Sequence, residues 1–303
     1  MQLLYFLEKI RFPFLDELML LITRLGEETV FLVAALVIFW CVDKHQGYYL
    51  MSVGFVGTVT SQFMKLACRV PRPWVLDPEF TIVEQAREAA TGYSFPSGHS
   101  QSAVGTFGSM AVFTKKRWLC ILCVAAAVLV PFSRMYLGVH TPQDVIVGSA
   151  ISLVLIFALR PVVSSKKGMK CLIAFMIAMA LMFLAYVEFW KFPADMDPHN
   201  LASGYKNAYT LLGALLGVAL AYAVDEKKLH FEAKAVWWAQ ILKVVLGLAL
   251  VLAVKEGLRA PLDSLFGGHM AARALRYFLI VVMAGILWPM TFQWFTCLGK
   301  KEK

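Results

Sequence analysis

The stretch WLCILCVAAAVLVPFSRM, residues 118–135, decides the fold class of this chain. Arg134 is its only charged residue, and about 20 apolar residues in a helix cross the roughly 30 Å hydrocarbon core of a bilayer. The whole chain of 303 residues is 59% hydrophobic and only 16% charged, with a positive mean hydropathy of +0.67. Soluble domains have fewer apolar and more charged residues, so we predict an all-α integral membrane protein.

Apolar windows of similar length recur on both sides of this stretch and predict about nine transmembrane helices. They cover residues 29–42, 48–67, 97–114, 118–135, 143–160, 170–189, 207–224, 236–254 and 277–298. The segment 12–25 is apolar on a helical period, but it is short and carries Asp16, Glu17 and Arg24. This pattern predicts an interfacial helix, which could equally extend the first span.

The charge balance points to anionic partners. The chain has 29 Lys and Arg against 20 Asp and Glu, which gives a net charge of +9. In a membrane protein this excess indicates cytoplasmic loops and anionic substrates or lipids. The sequence has no basic stretch interleaved with aromatic residues, so nothing supports nucleic acid as a partner.

The connections between the windows predict the orientation in the membrane. Nine alternating spans place the three long connections, residues 68–96, 190–206 and 255–276, on one side. The tight turns opposite, with the chain end, hold most of the lysines, which predicts that they are cytoplasmic. Four cations depart from this rule and could bind a second phosphate or a lipid headgroup, or anchor the helices. They are Lys255, Arg259, Arg273 and Arg276.

Two short polar motifs lie at the ends of neighbouring windows. In the first, Lys65 and Arg72-Pro73 place two cations seven residues apart at the exit of the second window. In the second, Pro96-Ser97-Gly98-His99 opens the third window. Backbone N–H groups and the positive end of a helix dipole at such a position would form an anion site.

A third motif adds groups suited to phosphoryl transfer. Ser133-Arg134 ends the fourth window, and His140 and Asp144 stand four residues apart before the fifth. If the helix starts at Thr141-Pro142, the carboxylate can hold the imidazole tautomer and leave the other ring nitrogen free to attack phosphorus. His99 could then protonate the leaving oxygen while the three cations bind the phosphoryl oxygens.

Together, and in this order, the three motifs resemble the signature of the type 2 phosphatidic acid phosphatase (PAP2) superfamily over about residues 12–160. The resemblance implies a phosphate-binding set of Lys65, Arg72, Ser97, Gly98 and Arg134. It also implies that His99 is the general acid and His140 the nucleophile, with Asp144 orienting His140. The family needs no metal or other cofactor, so none is expected here.

The resemblance implies an enzyme that hydrolyses a phosphorylated lipid through a phosphohistidine at the extracytoplasmic face of the cell membrane. The family's substrates include polyprenyl diphosphate, phosphatidic acid, phosphatidylglycerol phosphate and sphingoid phosphates, among which the sequence does not choose. One alternative is a phosphotransferase that passes the same phosphoryl group to a lipid or sugar acceptor. Another is a sugar phosphatase, because nine spans and the final Lys300-Lys301-Glu302-Lys303 also resemble the glucose-6-phosphatase branch. A transporter would not explain a His/Asp pair beside three cations.

The motifs and windows suggest three segments. We expect an N-terminal interfacial helix in residues 1–28, a catalytic transmembrane core in residues 29–189 and an extension of about three transmembrane helices in residues 190–303. Glu188 and Lys243 are charges in or near apolar windows, where a charge is expensive and often functional. Snorkelling to the interface is an equal alternative for both.

Overall fold

The structure is a computed structural model that describes residues 1–298 and consists of helices and their connections. The fifteen α-helices are α1 Gln2–Lys9, α2 Pro13–Arg24, α3 Glu28–Val37, α4 Lys44–Cys68, α5 Pro73–Leu76, α6 Gly98–Ala103, α7 Ser109–Phe113, α8 Arg117–Tyr136, α9 Pro142–Val163, α10 Lys166–Phe189, α11 Pro198–Val224, α12 Trp237–Gly257, α13 Arg259–Leu265, α14 Ala271–Val282 and α15 Phe292–Cys297. No β-strand occurs in residues 1–298, and the all-α class is confirmed. The predicted basic end at Lys300-Lys301-Glu302-Lys303 lies outside the described residues.

Helices occupy all nine predicted windows, but within residues 1–298 only six are long and apolar enough to cross a membrane. These six are Arg117–Tyr136, Pro142–Val163, Lys166–Phe189, Pro198–Leu229, Trp237–Leu265 and Ala271–Cys297. A seventh span results if α2 and the helix Glu28–Val42, which are bent by 48°, are taken together. The number nine is therefore approximate. Helix α4 carries Lys65 and other polar residues that lower its hydropathy, and the helical segment from α6 to α7 covers only residues 98–113, which is too short.

Two of the three predicted long connections are largely helical. Helix α11 already begins at Pro198, and residues 255–276 contain all of α13 and the start of α14. Hydropathy marks where a helix is apolar, and these helical turns are too polar to be recognised in that way. Only the connection between α4 and α6 is long, and it holds the short α5 and one 3₁₀ turn.

The chain divides into two compact units, one made of residues 1–34, 49–164 and 191–204, and one made of residues 35–48, 165–190 and from 205 onward. In the first unit, the N-terminal helix α1 is tied to the long connection. Glu8 accepts a hydrogen bond from the Thr81 backbone N–H (3.0 Å), and Arg11 donates to the carbonyl oxygens of Thr81 (2.7 Å) and Tyr136 (2.9 Å). These hydrogen bonds fix the N-terminal segment against the long connection and against the end of α8, which carries the third motif.

The second unit contains the buried Lys243 of α12, which is 0% exposed. Its Nζ donates to the carbonyl oxygens of Trp40 and Ala233, each at 3.0 Å, and lies 4.3 Å from the centre of the Phe292 ring. Lys243 therefore does not snorkel, because the protein itself satisfies the charge. Glu188 accepts a hydrogen bond from the Tyr209 hydroxyl at 2.8 Å.

Candidate active site

Helix α8 ends in a tight turn at Gly138, which separates Arg134 from His140. Gly138 has φ +80°, in the left-handed region that glycine adopts without steric cost. The Val139 N–H donates to the Arg134 carbonyl (3.1 Å) and the Gly138 N–H to the Met135 carbonyl (3.0 Å), which is the Schellman arrangement. The chain therefore reverses within a few residues and delivers His140 to the start of α9.

Helix α9 begins as the sequence predicts, with Thr141 as N-cap. The Thr141 hydroxyl accepts from the Asp144 N–H (3.3 Å), and Asp144 Oδ2 accepts from the Thr141 N–H (2.7 Å), so the two residues form a capping box. Asp144 Oδ2 also lies 3.5 Å from His140 Nδ1 and accepts a hydrogen bond from the Ser94 hydroxyl at 2.6 Å. The Asp144 carboxylate thus contacts the first residue of the α9 cap, the His140 ring and Ser94 of the long connection.

The guanidinium of Arg72 also contacts the His140 ring, where its Nη1 is nearer to Nε2 than to Nδ1, from which it lies 3.5 Å away. Arg72 Nη1 lies 2.8 Å from His140 Nε2, and the group also donates to the carbonyl oxygens of Thr91 (2.8 Å), Gly92 (3.1 Å) and Val139 (2.9 Å). Because a guanidinium can only donate, Nε2 must offer a lone pair. The proton of the neutral ring is then on Nδ1, which faces Asp144 and lies 3.4 Å from Ser94 Oγ.

The environment of His140 keeps the ring neutral. Burial, followed by the positive charges of Arg72 and Arg134, lowers the pKa of His140 well below its ordinary value. At neutral pH the imidazole therefore carries a lone pair, which is the form a nucleophile requires.

The second motif is joined to the third through the backbone. The Ser97 N–H donates to the Asp144 carbonyl at 3.0 Å, and the Ser97 hydroxyl accepts from the Ser100 hydroxyl at 2.9 Å. A Cβ at Gly148 of α9 would lie 2.5 Å from the Ser97 carbonyl oxygen, so only glycine permits this approach. A Cβ at Gly98, by contrast, would meet no atom within 4 Å, which leaves open space beside its backbone.

The three motif cations are buried and keep unused donors. Lys65 is 7%, Arg72 6% and Arg134 0% exposed. Lys65 donates to the Tyr93 carbonyl, and Arg134 Nη1 donates to the Thr23 hydroxyl at 2.9 Å. Arg134 Nε and Nη2 and His99 Nε2 are buried and have no hydrogen-bond partner among the described residues. Buried donors without partners are costly, so this arrangement is suited to an anion that would accept from them.

The structure therefore brings most of the predicted site residues into one network, and it adds two that the sequence reasoning missed. Ser94 contacts Asp144 and His140, and Thr23 of α2 contacts Arg134. Each is a single small polar residue outside the motifs, and the sequence has no signal that distinguishes it. In residues 1–298 no group of three or more His, Cys, Asp or Glu side chains could hold a metal ion.

Comparison with known proteins gives two family matches. Residues 46–167 match the PAP2 superfamily, and residues 209–301 match the family described as PAP2 superfamily phosphatase, transmembrane extension. No solved structure matches the chain.

The chain is also similar to curated phosphatases. It is 32% identical to the undecaprenyl-diphosphatase of Sulfolobus acidocaldarius over 44% of this chain and 64% of that protein. It is 31% identical to phosphatidylglycerophosphatase B of Bacillus subtilis over 50% of this chain and 76% of that protein. It is 26% identical to sphingosine-1-phosphate phosphatase 1 of Mus musculus over 77% of this chain and 57% of that protein. The resemblance carried by the three motifs is thus confirmed: the chain belongs to the PAP2 superfamily, and its residues 209–301 are the transmembrane extension that occurs in phosphatases of that superfamily.

Proposed function

We propose that this membrane protein hydrolyses a phosphorylated lipid through a covalent phosphohistidine on His140. One observation carries the proposal: the buried imidazole of His140 contacts both Arg72 and Asp144, in a cluster of buried cations with unused donors. Such a cluster is suited to an anion with several acceptor oxygens, and a phosphoryl group is one.

The reaction is a double displacement at phosphorus. His140 Nε2 attacks the phosphorus with its lone pair, the bond from phosphorus to the leaving oxygen breaks, and His99 gives that oxygen a proton. Arg72 must then exchange its contact with Nε2 for a phosphoryl oxygen. Asp144 stabilises the positive charge that develops on the imidazole, since it faces Nδ1. Water next attacks the phosphohistidine, His99 takes a proton from it, and phosphate leaves.

A lipid is the substrate class that the relatives support. The names of the three relatives specify undecaprenyl diphosphate, phosphatidylglycerophosphate and sphingosine 1-phosphate. Phosphatidic acid, another substrate of the family, belongs to the same class. All are amphiphiles that a protein with six or more candidate spans can receive from the bilayer. Phosphate release by the purified protein should be measured across these lipids and glucose 6-phosphate. Preference for the sugar phosphate, or transfer to an added acceptor without free phosphate, would contradict lipid hydrolysis.

We expect the Ser94→Ala variant to lose about tenfold in kcat with little change in KM. Its hydroxyl donates to Asp144 at 2.6 Å, and loss of a partner behind a catalytic group costs roughly 10- to 100-fold in comparable sites. Ser94→Thr keeps the hydroxyl and is the matched control. Steady-state kinetics on the preferred lipid would decide, and equal activity of Ser94→Ala and the wild type would remove Ser94 from the site.

The Arg134→Lys variant is expected to lose about 100-fold in activity, the scale of one lost transition-state donor. Arg134 keeps Nε and Nη2 free and can present a planar fork to phosphate oxygens, whereas lysine offers a point charge. Lys115→Arg, on an exposed turn, controls for a general effect of basic substitutions. Full turnover by Arg134→Lys would mean that only positive charge is required there.

We propose that the site opens at the extracytoplasmic face, on the side of the long connection. Single cysteines at Glu79 and Lys116, which are both exposed, should be placed in a background lacking the exposed Cys68, Cys171 and Cys297. An impermeant maleimide applied to intact cells should label position 79 and spare position 116. The reverse pattern would place the chemistry in the cytoplasm.

A further inference from the structure

The second unit contains a largely buried cation that has no hydrogen-bond or ion-pair partner among the described residues. Arg276 of α14 is 8% exposed, its Nε is buried without a partner, and the described residues form no hydrogen bond or ion pair with its guanidinium. Its recorded contact is with the ring of Tyr277, whose centre lies 5.7 Å from the guanidinium carbon. A buried N–H donor without a partner is costly, so Arg276 is suited to an acceptor that the described residues do not supply.

A second arginine adds to this unbalanced charge. Arg273 precedes Arg276 by three residues, so both lie on the same side of α14. Arg273 Nε donates to the Thr210 hydroxyl of α11 at 2.6 Å, its guanidinium carbon lies 5.4 Å from the centre of the Tyr277 ring, and its other donors have no partner among the described residues. No carboxylate in residues 1–298 forms an ion pair with either arginine.

The positions of Arg273 and Arg276 on α14 add to the excess of positive charge. Helix α14 starts at Ala271, so Arg273 lies in its first turn, where the helix dipole favours negative charge, and Arg276 lies in the next turn. Two like charges three residues apart also repel each other. Lys243, in the same unit, donates to two carbonyl oxygens, so this unit does provide partners for another buried cation.

We infer that Arg273 and Arg276 bind the phosphate of an anionic phospholipid headgroup, while Thr210, whose hydroxyl donates to the Lys206 carbonyl (2.7 Å), holds Arg273 in place. The ligand chemistry is that of a phosphate with at least two acceptor oxygens, which arginine forks bind in parallel pairs. Helix α14 opens the candidate span Ala271–Cys297, so the two arginines lie at one end of a span, where lipid headgroups are found. None of these residues belongs to the three motifs, and the inference is independent of the proposed function.

The test uses the full-length protein in nanodiscs of phosphatidylcholine, with and without phosphatidylglycerol, and separately with inorganic phosphate. Lipid retained by the protein is counted by native mass spectrometry, and the melting temperature is measured in each condition. Wild type should retain phosphatidylglycerol and melt at a higher temperature with it. Arg276→Gln and Arg273→Gln should each weaken retention about 10- to 100-fold, the worth of a charge-assisted hydrogen-bonded pair. Arg259→Gln, an exposed arginine of α13, is the matched control and should behave as wild type.

A site for an anion also predicts how the variants behave without the ligand. In phosphatidylcholine alone, Arg276→Gln should melt no lower than the wild type, because it removes a largely buried charge that forms no ion pair with the described residues. A melting temperature lowered equally in both lipids would show a purely structural role and overturn the inference. So would equal phosphatidylglycerol retention in all variants, or arginine-dependent binding of inorganic phosphate without preference for the lipid. If Arg276→Gln does not fold, Arg273→Gln and Arg276→Lys carry the same comparison.

Discussion

Replacement of His140 by alanine is expected to lower phosphate release by about 10⁴–10⁶-fold, the scale on which loss of a covalent nucleophile acts. The reason is geometric as well as chemical. The Nε2 lone pair accepts from Arg72 while Nδ1 faces Asp144, so the ring is held in the tautomer that attacks through Nε2.

The same experiment tests the covalent intermediate. Wild-type protein mixed with radiolabelled substrate and quenched within one turnover should carry label that is stable to base and labile to acid, as a phosphohistidine is. His140→Ala should carry none, whereas the exposed His199→Ala should behave as wild type. Turnover should also persist in the presence of a chelator. Label on another residue, or a requirement for a divalent ion, would refute the mechanism.

Loss of His99 is expected to slow the reaction by about 10²–10⁴-fold, the usual contribution of a general acid. His99 Nε2 is buried and has no partner among the described residues, so it is available to the leaving oxygen, and the negative charge of a bound phosphoryl group would favour its protonated form. His99→Ala should therefore be assayed with an alkyl phosphate and with an aryl phosphate whose leaving group has a low pKa. The deficit should shrink for the aryl substrate, because that leaving group needs no proton. An equal deficit for both substrates would assign His99 to binding.

The helical class was predictable because the membrane leaves few alternatives. Backbone groups in hydrocarbon must be satisfied within the helix, so each long apolar window had to be helical. The same logic failed where helices are polar. Helix α13 and the first turns of α11 were predicted as loops, since periodicity and hydropathy report apolar faces and not hydrogen-bonded backbone.

The sequence predicted the types of residue in the site, but it did not predict all of their contacts. Spacing placed Asp144 one helical turn after His140 and indicated the N-cap at Thr141, because both depend on neighbours in the chain. Ser94 and Thr23 could not be found in this way. Thr23 is 111 residues from Arg134 in the sequence, and only the packing of α2 against α8 brings them together.

The sequence by itself determined the membrane class, the approximate positions of the helices and the local geometry at the starts and turns of α9 and α8. These features follow from hydrogen bonds between residues a few positions apart, whose pattern the side chains along one segment dictate. The tertiary structure alone decided which His140 nitrogen accepts from Arg72, and it alone left Arg276 Nε without a hydrogen-bond partner among the described residues. Both depend on which groups from distant segments meet in space, and no local pattern contains that information.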